Sequence, residues 1–205
     1  MGSKLRKYDE TAEGIVCKFL DDKFYNRVEL FDRKNDINNQ VDGIDTTFEF
    51  KGTSFLCDEK AAIRYVNKKL NTFAFELSFI NKAGNRQEGW FLDNNKRTNS
   101  YLLCYINRAQ YDSISSVEDI LEAEVILVTR DKLIKFLDAK GWSKKLIKLK
   151  CDRIIHKEDR KFGDIYIDGV KFSYSDHLYE QPVNILISRY NLRKISEFNV
   201  VIHNV

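Results

Sequence analysis

Residues 72–79, Thr-Phe-Ala-Phe-Glu-Leu-Ser-Phe, alternate large apolar side chains with small or polar ones without a break. A strand places successive side chains on opposite faces, so Phe73, Phe75, Leu77 and Phe79 share one side and Thr72, Ala74, Glu76 and Ser78 the other. A helix would split the same four between two opposite sides, Phe73 with Leu77 and Phe75 with Phe79, so no single face would hold them all. The chain must therefore build a sheet with at least one strongly one-sided strand.

Other segments carry the opposite period. In 9–24, Ala12, Ile15, Val16, Phe19 and Leu20 follow helical spacing, and Asp9 is a natural N-cap. Glu10 and Glu13 lie one turn apart beside that apolar stripe. The polar run 32–40 reads as a loop. Strands are expected at 46–50, 54–60, 89–92, 101–106, 124–129 and 183–188, with turns at Gly52 and at Ala83-Gly84-Asn85. Residues 61–70 read as a short helix or a turn-rich connection, and a helix is expected at 117–123. A further helix begins at Asp131 and stops at Gly141, and Ser143 caps another rich in lysine. Asp168-Gly169, between 165–167 and 170–172, is a two-residue hairpin signal. The expectation is one α/β domain with a central mixed sheet flanked by helices, its core over about 9–130 and a C-terminal α+β extension over about 131–205.

Bulk properties narrow the function classes. Of 205 residues, 43% are apolar and 32% charged, the balance of a folded globular chain rather than a disordered one. No apolar run approaches the ~20 residues of a membrane span, and Met1-Gly2-Ser3-Lys4 is too polar for a secretory leader, so an intracellular protein is expected. Cys17, Cys57, Cys104 and Cys151 are widely spaced, which argues against a zinc knuckle and for buried free thiols. His156, His177 and His203 are scattered too, leaving histidine-based nucleophilic catalysis without support.

Carboxylates remain as the groups that can carry chemistry. Hydrolysis of a phosphodiester by metal-activated water needs acids to hold a hard divalent cation and a fixed positive charge beside them. Asp58 and Lys60 are two apart on one expected strand and share a face, while Glu59 points away. Asp45, thirteen residues before Asp58, precedes the neighbouring strand, so a short hairpin would bring the two acids together. Asp42 is the alternative first acid, and Glu76, the lone acid on the polar side of 72–79, is a further candidate ligand.

An acid followed after ten to twenty residues by (D/E)-x-K at a strand end resembles the PD-(D/E)XK, or restriction endonuclease-like, nuclease superfamily, here as Asp45, Asp58 and Lys60. The resemblance implies a core of helix, three strands, helix and strand. On this chain that order is met by 9–24, 46–50, 54–60, 72–79, 117–123 and 124–129. It implies an acid on the first helix, a place for Glu13 or Glu10, and a Mg²⁺-dependent deoxyribonuclease for which Mn²⁺ substitutes, leaving 5′-phosphate and 3′-hydroxyl ends. Asp45 and Asp58 would hold the metal, Glu13 or Glu76 would complete its shell, and Lys60 would position or activate water. A homodimer is a further implication. Ile44 replaces the proline often found before the first acid, and the helical stretch at about 61–70 stands where the family usually has a tight connection.

DNA is the expected partner, and two basic groups are candidate phosphate contacts. Lys144, Lys145 and Lys148 share helical spacing within a basic run that continues to Lys150, Arg153, Lys157, Arg160 and Lys161, and Lys68-Lys69 follow the proposed site. No base-reading module is visible. Two other functions fit the same residues: a catalytically inactive nuclease fold that binds nucleic acid, and a phage or mobile-element accessory protein that binds a host protein.

Overall fold

The computed structural model describes residues 2–34, 36–156 and 169–204. In chain order its elements are α1 (Gly2–Lys23), β1 (Glu29–Arg33), α2 (Ile37–Asp42), β2 (Thr46–Phe50), β3 (Thr53–Ala61), β4 (Thr72–Ile80), β5 (Arg86–Glu88), β6 (Ser100–Ala109) and β7 (Ile120–Thr129). There follow α3 (Arg130–Ala139), α4 (Lys144–Ile155), β8 (Val170–Tyr174), β9 (Val183–Ser188), α5 (Arg189–Ile195) and β10 (Phe198–His203). The chain is α/β, and it forms two compact units between which it passes four times. One comprises 1–70, 98–129 and 196–205, the other 71–97 and 130–195.

The first unit is built on a mixed six-stranded sheet in the order β1-β2-β3-β6-β7-β10. Only β3 and β6 run parallel; the other neighbours are antiparallel. The β2–β3 connection is the two-residue loop Lys51-Gly52, both with positive φ (51° and 72°), the twist a tight hairpin requires. Helix α1 lays Ala12, Val16, Phe19 and Leu20 on one sheet face, where they meet Phe48, Phe55, Cys57, Leu102 and Cys104. This apolar face, 2% exposed or less on the helix side, holds the helix against the strands. Phe24, Tyr25, Phe31 and Phe48 extend it as a chain of ring contacts, with Tyr25 and Phe31 stacked at 4.2 Å.

The second unit carries an antiparallel four-stranded sheet, β5-β4-β9-β8. Here the alternation of β4 meets its purpose. Phe73, Phe75 and Leu77 are buried, alongside Val183, Ile185 and Ile187 of β9. Helix α3 ends in a Schellman motif: Gly141 has φ +82°, and the Trp142 and Gly141 amides return to the carbonyls of Leu137 and Asp138. Ser143 then caps α4 through Leu146 N–H.

Several expectations are corrected. Strand β4 is not the third strand of the central sheet; that place belongs to β6, parallel to β3. Alternation reports one buried face but not which sheet supplies it. Of the two readings of 61–70 the turn-rich connection holds: it contains only a short 3-10 turn, Ile63–Tyr65, since β3 continues to Ala61. Residues 117–123 are likewise a 3-10 turn, Val117–Asp119, leading directly into β7. Of the expected loop 32–40, Asp32 and Arg33 belong to β1, and α2 begins at Ile37 with the Asp36 carboxylate accepting from Asn39 N–H. Residues 89–92 are turn rather than strand, with Gly89 pressed against the Glu76 backbone where a Cβ would collide at 2.4 Å. The hairpin at Asp168-Gly169 and the basic residues Lys157, Arg160 and Lys161 lie outside or at the edge of the described residues, although β8 starts where its second arm was expected.

Candidate active site in the first unit

Asp45 is placed by two local devices. Helix α2 stops at Gly43 (φ +72°), and the Ile44 amide returns to the Asn39 carbonyl, which turns the chain toward β2. The Asp45 backbone is then held from both sides: its N–H donates to the Cys57 carbonyl at 2.9 Å, and its carbonyl accepts from Lys34 N–H at 2.8 Å. Its side chain closes the arrangement, Oδ2 accepting the main-chain N–H of Glu59 at 2.8 Å.

Asp58 and Lys60 share one face of β3, as the two-residue period demands. Lys60 Nζ donates to Asp58 Oδ1 at 2.5 Å. Asp58 is only 4% exposed. Burial lifts its carboxyl pKa to about 7 against the pull of Lys60, and the Asp45 carboxylate, within hydrogen-bonding reach, pushes the same way as burial. Burial also works against the Lys60 charge, but Asp58 and Asp45 outweigh it and raise the ammonium pKa. Glu13 stands on α1 at the rim, with solvent access; crowding by protein raises its carboxyl pKa, opposed by Lys60 and reinforced by Asp9 and Asp45.

The structure thus brings together Asp45, Asp58 and Lys60, with Glu13 in electrostatic reach. It is Asp45 that meets Asp58, while Asp42 closes α2. Glu10 is exposed on α1 and bears on the cluster through Glu13. Glu76 belongs to β4 of the other unit. Lys68 and Lys69 are exposed in the loop after the Ile63–Tyr65 turn. Lys144, Lys145 and Lys148 lie on α4 of the second unit, where Lys144 bonds to Asn94 and Lys148 pairs with Glu88.

Glu59 does point away from Asp58 and Lys60, toward partners that the sequence spacing does not mark. Its carboxylate accepts from Arg33 at 2.7 Å and from Tyr25 Oη at 2.5 Å, and Cys17 Sγ approaches at 3.5 Å. Arg33 forks onward to both oxygens of Asp21 and lies over the rings of Tyr25 and Phe31. A bulge in β1, with Leu30 at φ +48°, sets the register that turns Arg33 toward this group. No short-range signal marks Arg33, because its partners lie 12 and 26 residues away.

A cleft of about 460 Å³ joins the two sets, lined by Glu13, Arg33, Lys34, Asp45, Glu59 and Lys60 among others. Asp58 stands behind this wall, in contact with two of its members. Two acids pressed together, one holding its proton near neutrality, are a fit for a hard divalent cation, which takes oxygen donors and displaces such a proton. Among the described residues no group of three or more His, Cys, Asp or Glu is placed so that it could hold a metal ion, so no third such ligand joins Asp45 and Asp58. Mg²⁺ does not need one, since it is commonly held by one or two carboxylates together with water and substrate phosphate. No helix among the described residues is long and apolar enough to cross a membrane. Comparison of the chain with protein-family models, with curated proteins and with solved structures returns no match.

Proposed function

We propose that the first unit is a metal-dependent DNA endonuclease that resembles the PD-(D/E)XK, restriction endonuclease-like, group. One observation carries the reading: Asp45 and Asp58, thirteen residues apart in sequence, meet carboxylate to carboxylate with Lys60 on Asp58. A helix leading into a sheet whose β2–β3 hairpin carries these residues supports it as well.

Asp45 and Asp58 would hold Mg²⁺, with Mn²⁺ able to replace it and Glu13 at the rim in electrostatic reach. Bound there, such a cation lowers the pKa of the attacking water and offsets charge on the phosphate. Lys60, kept charged by its two acids, would hold the water or a non-bridging phosphate oxygen as negative charge builds in the transition state. The Glu59 N–H fixes Asp45, so the first acid keeps its aim when its partner loses a proton.

The ion pair itself favours one competing reading, a non-catalytic nucleic-acid-binding module, because Lys60 already satisfies Asp58. Incubation with supercoiled, linear, single-stranded and branched DNA in Mg²⁺ or Mn²⁺ separates the two. Cleavage by the wild type that is lost in Lys60→Ala and Asp58→Asn supports the nuclease. Cleavage that survives both substitutions removes this site from consideration, and DNA binding without any cleavage supports the module.

A further inference from the structure

The second unit contains a pocket of about 230 Å³ with Phe91, Ile134, Leu137 and Trp142 among its apolar walls and Arg130 and Lys144 also lining it. The Schellman end of α3 makes part of it, since that motif sets its C″ residue, Trp142, against its C3 residue, Leu137. Trp142 is fixed further by an edge contact to Phe172 at 4.8 Å. The polar side is equally well placed. Arg130 donates to the carbonyls of Phe91, Asp93 and Lys96 at 2.7–3.2 Å, which orients the guanidinium and leaves its full charge, because carbonyls are neutral. Lys144 reaches Asn94 Oδ1. Its pKa is lowered, by burial first and then by Lys148 and Arg130, with Glu88 and Asp93 offsetting this only in part. Positive charge therefore crowds beside a pocket whose walls are aromatic and aliphatic.

We propose that this pocket binds a single nucleotide, its base against the Trp142 and Phe91 walls and its phosphate on Lys144 and Arg130. Flat rings suit aromatic walls, and a phosphate brings up to two negative charges to two cations, one of them a guanidinium. The volume falls below the roughly 300–1,000 Å³ of sites for drug-sized ligands, which leaves room inside for about one ring system, the base, with sugar and phosphate at the mouth. A free nucleotide and the exposed nucleotide of a single strand share this chemistry. The inference concerns the second unit alone and does not depend on nuclease activity in the first.

Calorimetric titration of the full chain in EDTA, where divalent-cation chemistry in the first unit is silent, provides the test. The probes are dAMP, dTMP, deoxyadenosine, inorganic phosphate, octanoate and a ten-residue oligothymidylate. Expected are saturable binding of the nucleotides, affinities roughly tenfold or more lower for deoxyadenosine and for phosphate, and a similar loss in Lys144→Ala. Ile134→Trp, at a position 38% exposed and so tolerant of a larger side chain, fills the pocket and should abolish binding. Binding of the oligonucleotide but not of free nucleotides supports the proposal with a strand as the source. Octanoate binding more tightly than every nucleotide overturns it in favour of an acyl carboxylate. Affinities unchanged in both variants overturn it outright, as does the absence of binding by any nucleotide probe.

Discussion

Lys60 Nζ lies 2.5 Å from Asp58 Oδ1, two residues back along the same strand and on the same sheet face. Asp58 is 6% exposed in its side chain and Lys60 32%. The pair therefore has a buried end and a wet end, and the buried acid meets a second carboxylate, Asp45, rather than a second cation. With Asp58 ionised, two carboxylates face one ammonium, and the tendency of Asp58 to keep its proton instead sets the consequences below.

Stability of the metal-free protein should rise on mild acidification. Asp58 holds its proton up to about 7 in the folded chain, against roughly 3.9 when unfolded. Between these values the folded state binds more protons, so stability falls as pH climbs through the window, by at most about 1.4 kcal/mol per unit for this group. Glu13, also raised, acts with the same sign. Melting temperatures in EDTA should increase from about pH 8 to about pH 5.5, with a shallower slope in Asp58→Asn. An identical slope in the variant would mean that Asp58 is not the titrating group.

Lys60→Ala should separate cation binding from cleavage. Removing the ammonium leaves Asp45 and Asp58 with only each other, so Mn²⁺ should bind at least as tightly as in the wild type, while DNA cleavage falls by roughly a hundredfold or more. Near pH 6.5 the wild type should release a proton on binding Mn²⁺, because Asp58 must ionise, and this release should fade by about pH 8.5. Calorimetry in buffers of different ionisation enthalpy measures it. Mn²⁺ binding undisturbed in an Asp45→Asn, Asp58→Asn double variant would place the ion elsewhere.

Arg33→Met should destabilise the first unit by about 3–5 kcal/mol, because Glu59, 7% exposed in its side chain, would remain buried with a charge and no cation. Replacing both, Arg33→Met with Glu59→Gln, should recover a large part of that loss. Urea denaturation of the two single variants and the double variant reads the coupling directly. Simple additivity of the two losses would show that the pair acts independently.

The thiols should be slow to alkylate in the native protein. All four cysteines are free. Burial and the neighbouring Glu59 carboxylate push Cys17 up to about 12, burial and Asp152 push Cys151 to about 11, and burial raises Cys57 well above the ordinary thiol value. Only thiolate reacts appreciably, so iodoacetamide near pH 8 should label the native chain slowly and all four sites rapidly in denaturant. Rapid native labelling of Cys17 would show that the α1 face opens.

How much of this was readable in advance follows the range of each interaction. The apolar stripe of α1, the β2–β3 hairpin and the Ser143 cap all depend on neighbours a few residues away and stand where the spacing places them, although α1 begins at Gly2 and Asp9 lies within it, bonded to Arg64, rather than capping it. The sharing of a face by Asp58 and Lys60 is of the same kind. The destination of β4 is not: its alternation is satisfied equally by any sheet offering an apolar face, and pairing with β9, more than a hundred residues on, took it out of the central sheet. Glu59 shows the same division, because strand alternation turns it from Asp58, yet only packing of α1 and the bulge in β1 supply Arg33 and Tyr25 to receive it.

Asp45, Asp58 and Lys60 fall on both sides of that line. Sequence by itself determined that an acid and a lysine project together from one strand, since side-chain direction is a property of the local backbone. It favoured Asp45 as the first acid, being closer to the strand, and left Asp42 as the substitute. Tertiary structure chose Asp45, through the helix stop at Gly43, the ladder bonds to Lys34 and Cys57 and the Glu59 amide, because only long-range hydrogen bonding determines which of two nearby carboxylates reaches a buried partner.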